Sequence, residues 1–297
     1  MSDTMAGIRR KVSTATDLQS VVRTMKALAA SSIGQYEKSV SALADYYRTV
    51  ELGLSVCLRE SWSAPLVPLA RESKKATASK RTIAAVVFGS DQGLVGQFND
   101  VVTDYAVKTL TNTKPTIWAV GERVQARLTD AGFAPKGLFI VPSSVKAITR
   151  LVGQILVEIE TLHDGISELH LFYNRPTTGE VYAPVTQRPL PFDESWRKKL
   201  ALLSWPTKEL PEVIGSGATV LRMLIREYLF ISLFRACAES LASENASRLA
   251  AMQRADKNID ELLEDLNRTF HRMRQSGIDE ELFDVISGFE MLNQEKK

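Results

Sequence analysis

An α/β domain set between two long coiled-coil helices is the fold class this sequence predicts, on three observations. Residues 1–60 contain no proline and carry one narrow apolar stripe. Residues 81–205 alternate short apolar runs with helical stretches. After Pro211 no further proline occurs, and a second heptad seam continues almost to the C-terminus. Two such terminal helices can pair antiparallel as a shaft, with the central Rossmann-like domain as a foot at one end.

The first element, residues 1–60, reads as one helix from about Ala6 to Arg59. Apolar or small residues recur at Ile8, Val12 and Ala15, then at Val22, Met25 and Ala29. The stripe becomes regular at Tyr36, Val40, Leu43, Tyr47, Val50, Leu54 and Cys57. Those steps alternate four and three, the seam of a left-handed coiled coil. A stripe so narrow and long favours a coiled coil over a helix lying on a globular core. Residues 61–80, with Pro65, Pro68 and a polar run up to Lys80, read as a linker.

In the middle region, 81–205, Thr82–Phe88 is a continuously apolar run that suits a buried strand. A helix follows over Phe98–Leu110, a strand over Thr116–Val120, and a helix over Gly121–Ala131 ended by Gly132. Leu138–Val141 is a third strand, stopped by Pro142, and Val145–Leu162 a third helix. Glu168–Tyr173 and Val181–Gln187 are further strands joined around Thr178 and Gly179. The alternation predicts a small, mostly parallel sheet.

The last element occupies 210–297. Its seam runs through Leu221, Leu224, Tyr228, Ile231, Arg235, Ala238, Ala242, Asn245, Leu249, Met252, Asp256, Ile259, Leu263, Leu266, Phe270, Met273 and Gly277. Arg235, Asn245 and Asp256 interrupt it; polar seam residues cost stability and can fix register. At about 1.5 Å per residue such a helix reaches on the order of 110 Å, too long for the interior of an ordinary domain.

Composition excludes several classes. The formal net charge of +2 gives no global attraction to nucleic acid. Basic residues do gather in the first helix, at Arg9, Arg10, Lys11, Arg23 and Lys26. Cys57 and Cys237 lie too far apart in sequence for a metal motif and form no disulfide framework. The N-terminus lacks the layout of a signal peptide. The most apolar stretch, Leu221–Leu241, contains Arg222, Arg226, Glu227, Arg235 and Glu239, so no direct membrane span is expected and membrane association must come through partners.

Candidate chemistry is sparse. Phe88–Asn99 is a glycine-rich turn between strand and helix, where phosphate could sit. Its spacing matches neither GxGxxG nor a P-loop, so a tight structural connection built on Ser90, Asp91, Gly93, Gly96 and Asn99 is the better reading. His163, His170 and His271 show no ligand spacing, and no nucleophile elbow is present, so neither a metal nor a catalytic residue is expected.

At both ends the residues resemble the gamma subunit of F-type ATP synthases. Ile8-Arg9-Arg10-Lys11 followed by Met25-Lys26-Ala27-Leu28-Ala29-Ala30-Ser31 is similar to that family's first helix, I-R-x-(K/R)-I then M-x-x-V-A-A-S. Ser90-Asp91-Gln92-Gly93-Leu94-Val95-Gly96 with Asn99 resembles its S-D-R-G-L-C-G turn. Ser243-Glu244 through Arg248 to Met252 resembles A-S-E-x-x-A-R-x-x-A-M. Asp256, Asn258, Arg272, Arg274, Gln275, Ile278 and Glu281 resemble its last helical stretch. There are departures: Ser32-Ile33-Gly34 where basic residues are usual, Gln92 and Val95 for Arg and Cys, His271 for Asn, and Asp279-Glu280 for hydroxyl residues. They point to a divergent branch, such as an alternate proton- or sodium-linked form.

The resemblance implies a central-stalk rotor that is not itself an enzyme and needs no cofactor. It would couple ion flow to ATP synthesis or hydrolysis in a ring of alpha and beta subunits. The foot would sit against the membrane c-ring, with the epsilon subunit beside it, at the cytoplasmic face of a bacterial or archaeal cell membrane. It further implies that Met25 and Lys26 lie near Arg272, Arg274 and Gln275 and meet the catalytic ring there. Ile278, Glu281, Leu282 and Ile286 would belong to the C-terminal tip, with Val285 and Phe289 adding apolar surface. The residues alone leave two rivals: an α/β enzyme with coiled-coil arms, its pocket at the carboxyl ends of the strands, and a coiled-coil scaffold without rotation.

Overall fold

The computed structural model describes residues 4–60, 82–162, 166–178, 181–190, 194–209 and 211–294. The predicted linker over 61–80, His163 and Gly179 lie outside them. In chain order the elements are α1 (Met5–Glu60), β1 (Ile83–Phe88), α2 (Phe98–Leu110), β2 (Thr116–Val120), α3 (Glu122–Asp130), β3 (Gly137–Phe139), α4 (Val145–Glu160), β4 (Glu168–Arg175), β5 (Ala183–Leu190), α5 (Glu194–Ala201) and α6 (Gly217–Gln294). The chain divides into two compact units, Ala29–Arg248 and the pair Met1–Leu28 with Leu249–Lys297.

In the unit Ala29–Arg248 the sheet has the order β3-β2-β1-β4-β5. The first four strands are parallel and β5 runs antiparallel to β4. Both faces are covered, which is why β1 reads as an unbroken apolar run. Ala84, Val86 and Phe88 enter one core with α4, α6 and α1, while Ala85 and Val87 enter the other with α2 and α3. β5 continues to Leu190, beyond the predicted end at Gln187, and carries Pro184 and Pro189. An edge strand tolerates both, because a missing N–H there faces no neighbour.

β3 is shorter than predicted, for a visible reason. The Val141 N–H donates to the Asp91 carboxylate at 2.8 Å instead of continuing the ladder to β2. Helix α5 is an addition to the predicted elements; its eight residues follow a proline and are too few for a periodic signal. Trp196 of α5 packs on Tyr228 with ring centroids 5.1 Å apart. α6 begins at Gly217 rather than Pro211, after Gly215 takes a left-handed φ of +93° that no helix continues through.

The seam residues of α1 in this unit, Tyr36 through Cys57, are all buried or half-buried. They meet α6 in antiparallel order: the Tyr46 hydroxyl donates to Glu227 at 2.7 Å, while a Cβ on Gly53, further along α1, would lie 3.1 Å from the Leu224 side chain, earlier on α6. A two-helix seam does not describe α6 here, however. From Leu229 to Glu244 only Phe230 and Arg235 escape full burial. Helix surface on every side is covered, by α1 and by the α/β layers together. Ala236, Ala238 and Ala242 keep that stretch slim.

The second unit is a simple helix pair. Ala15 and Val22 of α1 pack with Met252 and Ile259 of α6, flanked by Met25, Ala251, Ala255 and Leu263. Thr4 starts α1, its Oγ1 accepting from the Gly7 N–H at 3.3 Å.

Candidate functional site

Three places carry the residues singled out from sequence, and each is built differently. The first is the turn after β1. The Asn99 side chain spans it: its Oδ1 accepts from the Ser90 N–H at 2.9 Å and its Nδ2 donates to the Ser90 Oγ at 2.8 Å. The Ser90 hydroxyl donates onward to the Gln92 carbonyl at 2.9 Å. Asp91 bridges two further elements. One carboxylate oxygen takes the Glu122 N–H at 2.9 Å, capping α3 from a distant loop, and the other takes Val141. The turn's polar groups are spent on its neighbours, which is what a structural connection requires.

Glycine has unequal reasons in this turn. Gly96 sits at φ +57°, in the left-handed region. Nothing near Gly93 is closer to a built Cβ than an Arg123 nitrogen at 3.6 Å, so its geometry does not demand glycine. Two glycines that sequence reasoning passed over matter more. A Cβ on Gly121, at φ +113°, would lie 2.8 Å from the Ser90 carbonyl oxygen; one on Gly89 would lie 2.4 Å from Val124 Cβ. Their signal was only their position at the ends of β1 and β2.

The same turn is pinned to α6 by a row of residues one helical turn apart. Ser247 Oγ donates to the Val95 carbonyl at 2.6 Å, and Ser243 Oγ donates to the Asn174 carbonyl at 3.0 Å. The buried Glu239 carboxylate accepts from Arg175 at 2.8 Å and from Arg235 at 2.7 Å. Asn174 closes the circuit by donating to the Phe98 carbonyl at 2.8 Å. Beside this row Glu244 pairs with Arg248 at 2.6 Å. Burial raises the Glu244 carboxyl above its ordinary range, against the opposing pull of Arg248.

The second place is the polar stretch of the helix pair. Lys26 Nζ donates to one Asp256 oxygen at 2.7 Å and Arg23 Nε to the other at 3.2 Å. The hydrogen bond from Lys26, with help from Arg23, holds the Asp256 carboxyl below its usual range. Gln19, buried in the seam, donates to Asp260. Asp256 thus interrupts the seam and pairs across it with Lys26 and Arg23. Met25 packs beside the same stretch.

This register corrects one expectation. Met25 and Lys26 do not lie near Arg272, Arg274 and Gln275. Lys26 is opposite Asp256, sixteen positions earlier on α6 than Arg272, which is roughly 24 Å along a helix. In an antiparallel pair the partner of Lys26 moves toward the α6 N-terminus, and Arg272 falls level with the start of α1.

The third place is the end of α6. Arg272, Arg274, Gln275, Ile278, Glu281, Leu282 and Ile286 are all exposed there, with Phe283 and Val285. This run leaves several large apolar side chains facing solvent along the last turns of α6. The side chain of Phe289 lies outside the described residues.

Of the histidines, His170 Nε2 lies 2.8 Å from Glu168 Oε1 and His271 is exposed. Among the described residues no three His, Cys, Asp or Glu side chains are grouped to hold a metal ion. No helix among them is long and apolar enough to cross a membrane.

Comparison with known proteins fits this arrangement. A family model described as ATP synthase matches residues 4–292. The ATP synthase gamma chain of Desulforamulus reducens is 29% identical over 294 residues, covering 95% of this chain and 96% of the relative. That of Syntrophus aciditrophicus is 26% identical over 304 residues, covering 96% and 97%. Among solved structures, a chain of the OSCP/F1/c-ring assembly of Euglena gracilis mitochondrial ATP synthase has a TM-score of 0.63 at 17% identity, covering 99% of this chain and 96% of that one. A chain of the central stalk and c-ring of the Tetrahymena thermophila enzyme has a TM-score of 0.54 at 18% identity, covering 79% and 99%. The structures speak for the shared fold. With the family match running from the first turn of α1 to the last turns of α6, the chain belongs to the ATP synthase family, among its gamma chains.

Proposed function

We propose that this chain is the rotor through which proton or sodium flow drives, or is driven by, ATP chemistry in a ring of alpha and beta subunits. Residues 1–60 and 210–297 serve as the shaft and 81–205 as the foot. The foot stands on the membrane c-ring beside the epsilon subunit, at the cytoplasmic face of a bacterial or archaeal membrane. Catalysis belongs to the ring; the shaft contributes no reacting group. The observation that carries this reading is the inequality of the paired helices, 56 residues in α1 against 78 in α6, matched by the family along their length. Unequal helices present different faces as they turn. A shaft acts on its ring only through such differential contact with the alternative states.

The register supports reading these residues as two separate contact zones. Arg272, Arg274 and Gln275 offer exposed donors to acidic loops, and Ile278, Leu282 and Ile286 form an apolar bearing beyond them, with Glu281 on its rim. Met25 and Lys26 form another zone, stiffened by Asp256. A charge-assisted hydrogen bond contributes about 1.5–3 kcal/mol. Replacing Arg272 and Gln275 together by alanine is therefore expected to lower ion pumping relative to ATP hydrolysis by about tenfold or more, measured in vesicles carrying the whole complex. Full coupling in that variant would remove these residues from the contact.

A further inference from the structure

The buried stretch of α6 ends in an acid that the rotor reading does not use. Glu244 Oε1 accepts from Arg248 Nη2 at 2.6 Å, across one turn of the helix. The two side chains are only 7% and 13% exposed. Arginine–carboxylate pairs are frequently bidentate, with two donors on two oxygens. This one is not. Glu244 Oε2 and Arg248 Nε are buried and meet no hydrogen-bond partner among the described residues. Glu239, earlier on α6, is buried as deeply, yet each of its oxygens takes a donor: Arg175 Nε at 2.8 Å and Arg235 Nε at 2.7 Å.

Besides Arg248, three titratable groups face Glu244. Tyr36 approaches from α1, Asp91 from the turn after β1, and Cys237 from α6 itself. Burial raises the Tyr36 hydroxyl and the Cys237 thiol, so both stay neutral as pH falls. The Asp91 oxygens are spent on the Glu122 and Val141 N–H groups. Burial raises the Glu244 carboxyl too, with Arg248 opposing and Asp91 adding. Glu244 thus takes its proton above its ordinary value of 4.5.

We propose that Glu244 and Arg248 form a proton-operated latch: ionised Glu244 holds the guanidinium inside, and protonated Glu244 lets it turn out to solvent. One proton from water neutralises the carboxylate, while the guanidinium keeps its charge throughout. A buried cation beside a neutral acid has lost its counter-charge, which is unfavourable in a dry site. Among the described residues Arg248 has no second hydrogen bond to retain it, and its partial exposure marks a way out. Hydration then favours the outward position. The latch adds one positive charge to the surface of the unit Ala29–Arg248 in acid and withdraws it at neutral pH. It holds whether or not the chain is a rotor.

The test is NMR of the full chain with isotope-labelled glutamate and arginine, titrated downward from pH 7. The Glu244 carboxyl carbon is expected to titrate above 4.5. Exchange of the Arg248 Nε–H, corrected for its intrinsic rate, should speed up by about tenfold or more with the same midpoint. Arg175 and Arg235, both bonded to Glu239, should keep their protection across that range. A Glu244 midpoint at or below 4.5 overturns the proposal. So does Arg248 protection that is unchanged through the Glu244 midpoint. Loss of protection at all three arginines together also overturns it, because that is general opening of the helix packing. The Glu244→Gln variant should leave the Arg248 Nε–H in fast exchange already at pH 7. Arg248→Gln gives an independent reading if that variant does not fold. With the opposing guanidinium gone, Glu244 should titrate higher, and an unmoved midpoint would overturn the latch.

Discussion

Helix α6 lives in two settings, and the contrast between them separates holding from presenting. From Leu229 to Glu244 it is a buried strut. Its apolar residues fill the core, and Glu239, Ser243 and Ser247 are hydrogen-bonded to the α/β elements at one-turn intervals. From Leu249 onward, among the described residues, only Met252 and Ile259 are fully buried, and polar residues such as Lys26 and Asp256 pair across one narrow seam. The first setting fixes the helix against sliding and turning. The second leaves most of its surface free for other chains. A shaft needs both, and one continuous helix supplies them by changing composition along its length: small and apolar first, charged later.

The largest effect that could break this contrast comes from deleting packing atoms in each setting. Leu233 is fully buried, and Leu233→Ala is expected to cost about 2–5 kcal/mol of stability, as buried leucine truncations do. Leu262 is half exposed on the helix pair, and Leu262→Ala should stay within about 0.5 kcal/mol. Urea denaturation of the two variants measures both. Comparable costs would mean that the two settings are not distinct.

A smaller effect sharpens the role of the turn. Asn99→Ala removes two buried hydrogen bonds and leaves the Ser90 N–H without its acceptor. The expected loss is about 2–3 kcal/mol. The Gly93→Ala variant, by contrast, should be nearly neutral, because no neighbour crowds that position. A Gly93→Ala loss as large as that of Asn99→Ala would show that the turn depends on backbone freedom more than on its hydrogen bonds.

How much of this was legible in the sequence follows from what each signal encodes. The heptad stripe located the seam residues of α1 from Ile8 to Cys57, because burial on one helix face leaves a period. It did not supply the register of the pair. A coiled coil can slip by a heptad, about 10.5 Å, and keep its apolar contacts. Polar partners decide, and the partners of Lys26 and Gln19 are named by no pattern. The placement of Met25 and Lys26 beside Arg272 comes from the family resemblance alone, and the polar pairs overturn it. The spacing of Ser90–Asn99 suggests a connection, while its reach to Val141 and Ser247 depends on residues far along the chain. The all-round burial of 229–244 was hidden because a seam and a buried helix share the same apolar positions; only small residues on the remaining faces distinguish them.

The smallest expected effect is also the most selective, because two carboxylates of α6 shift in opposite directions. Glu244, raised by burial with Asp91 adding and Arg248 opposing, binds its proton more readily in the folded chain than in the unfolded one. Ionised Glu244 therefore lowers stability at neutral pH. That penalty is relieved as pH falls from the raised folded value toward the unfolded value near 4.5. Asp256, lowered by Lys26 and Arg23, works the other way. Its contribution is complete above the unfolded value near 3.8 and is lost as pH falls below it through the folded value. Hydrogen exchange followed from pH 7 down to pH 3, after correction for intrinsic rates, reads the two settings separately. Peptides of 229–248 should gain protection on mild acidification, and Glu244→Gln should flatten that gain. Peptides of 12–28 and 249–266 should lose protection only in the more acid range, and Asp256→Asn should flatten that loss. The second change is the weaker, since the Asp256 bridge lies near the surface and salt screens it. If both regions moved together with pH, α6 would be one cooperative element rather than a strut continued by a presented helix.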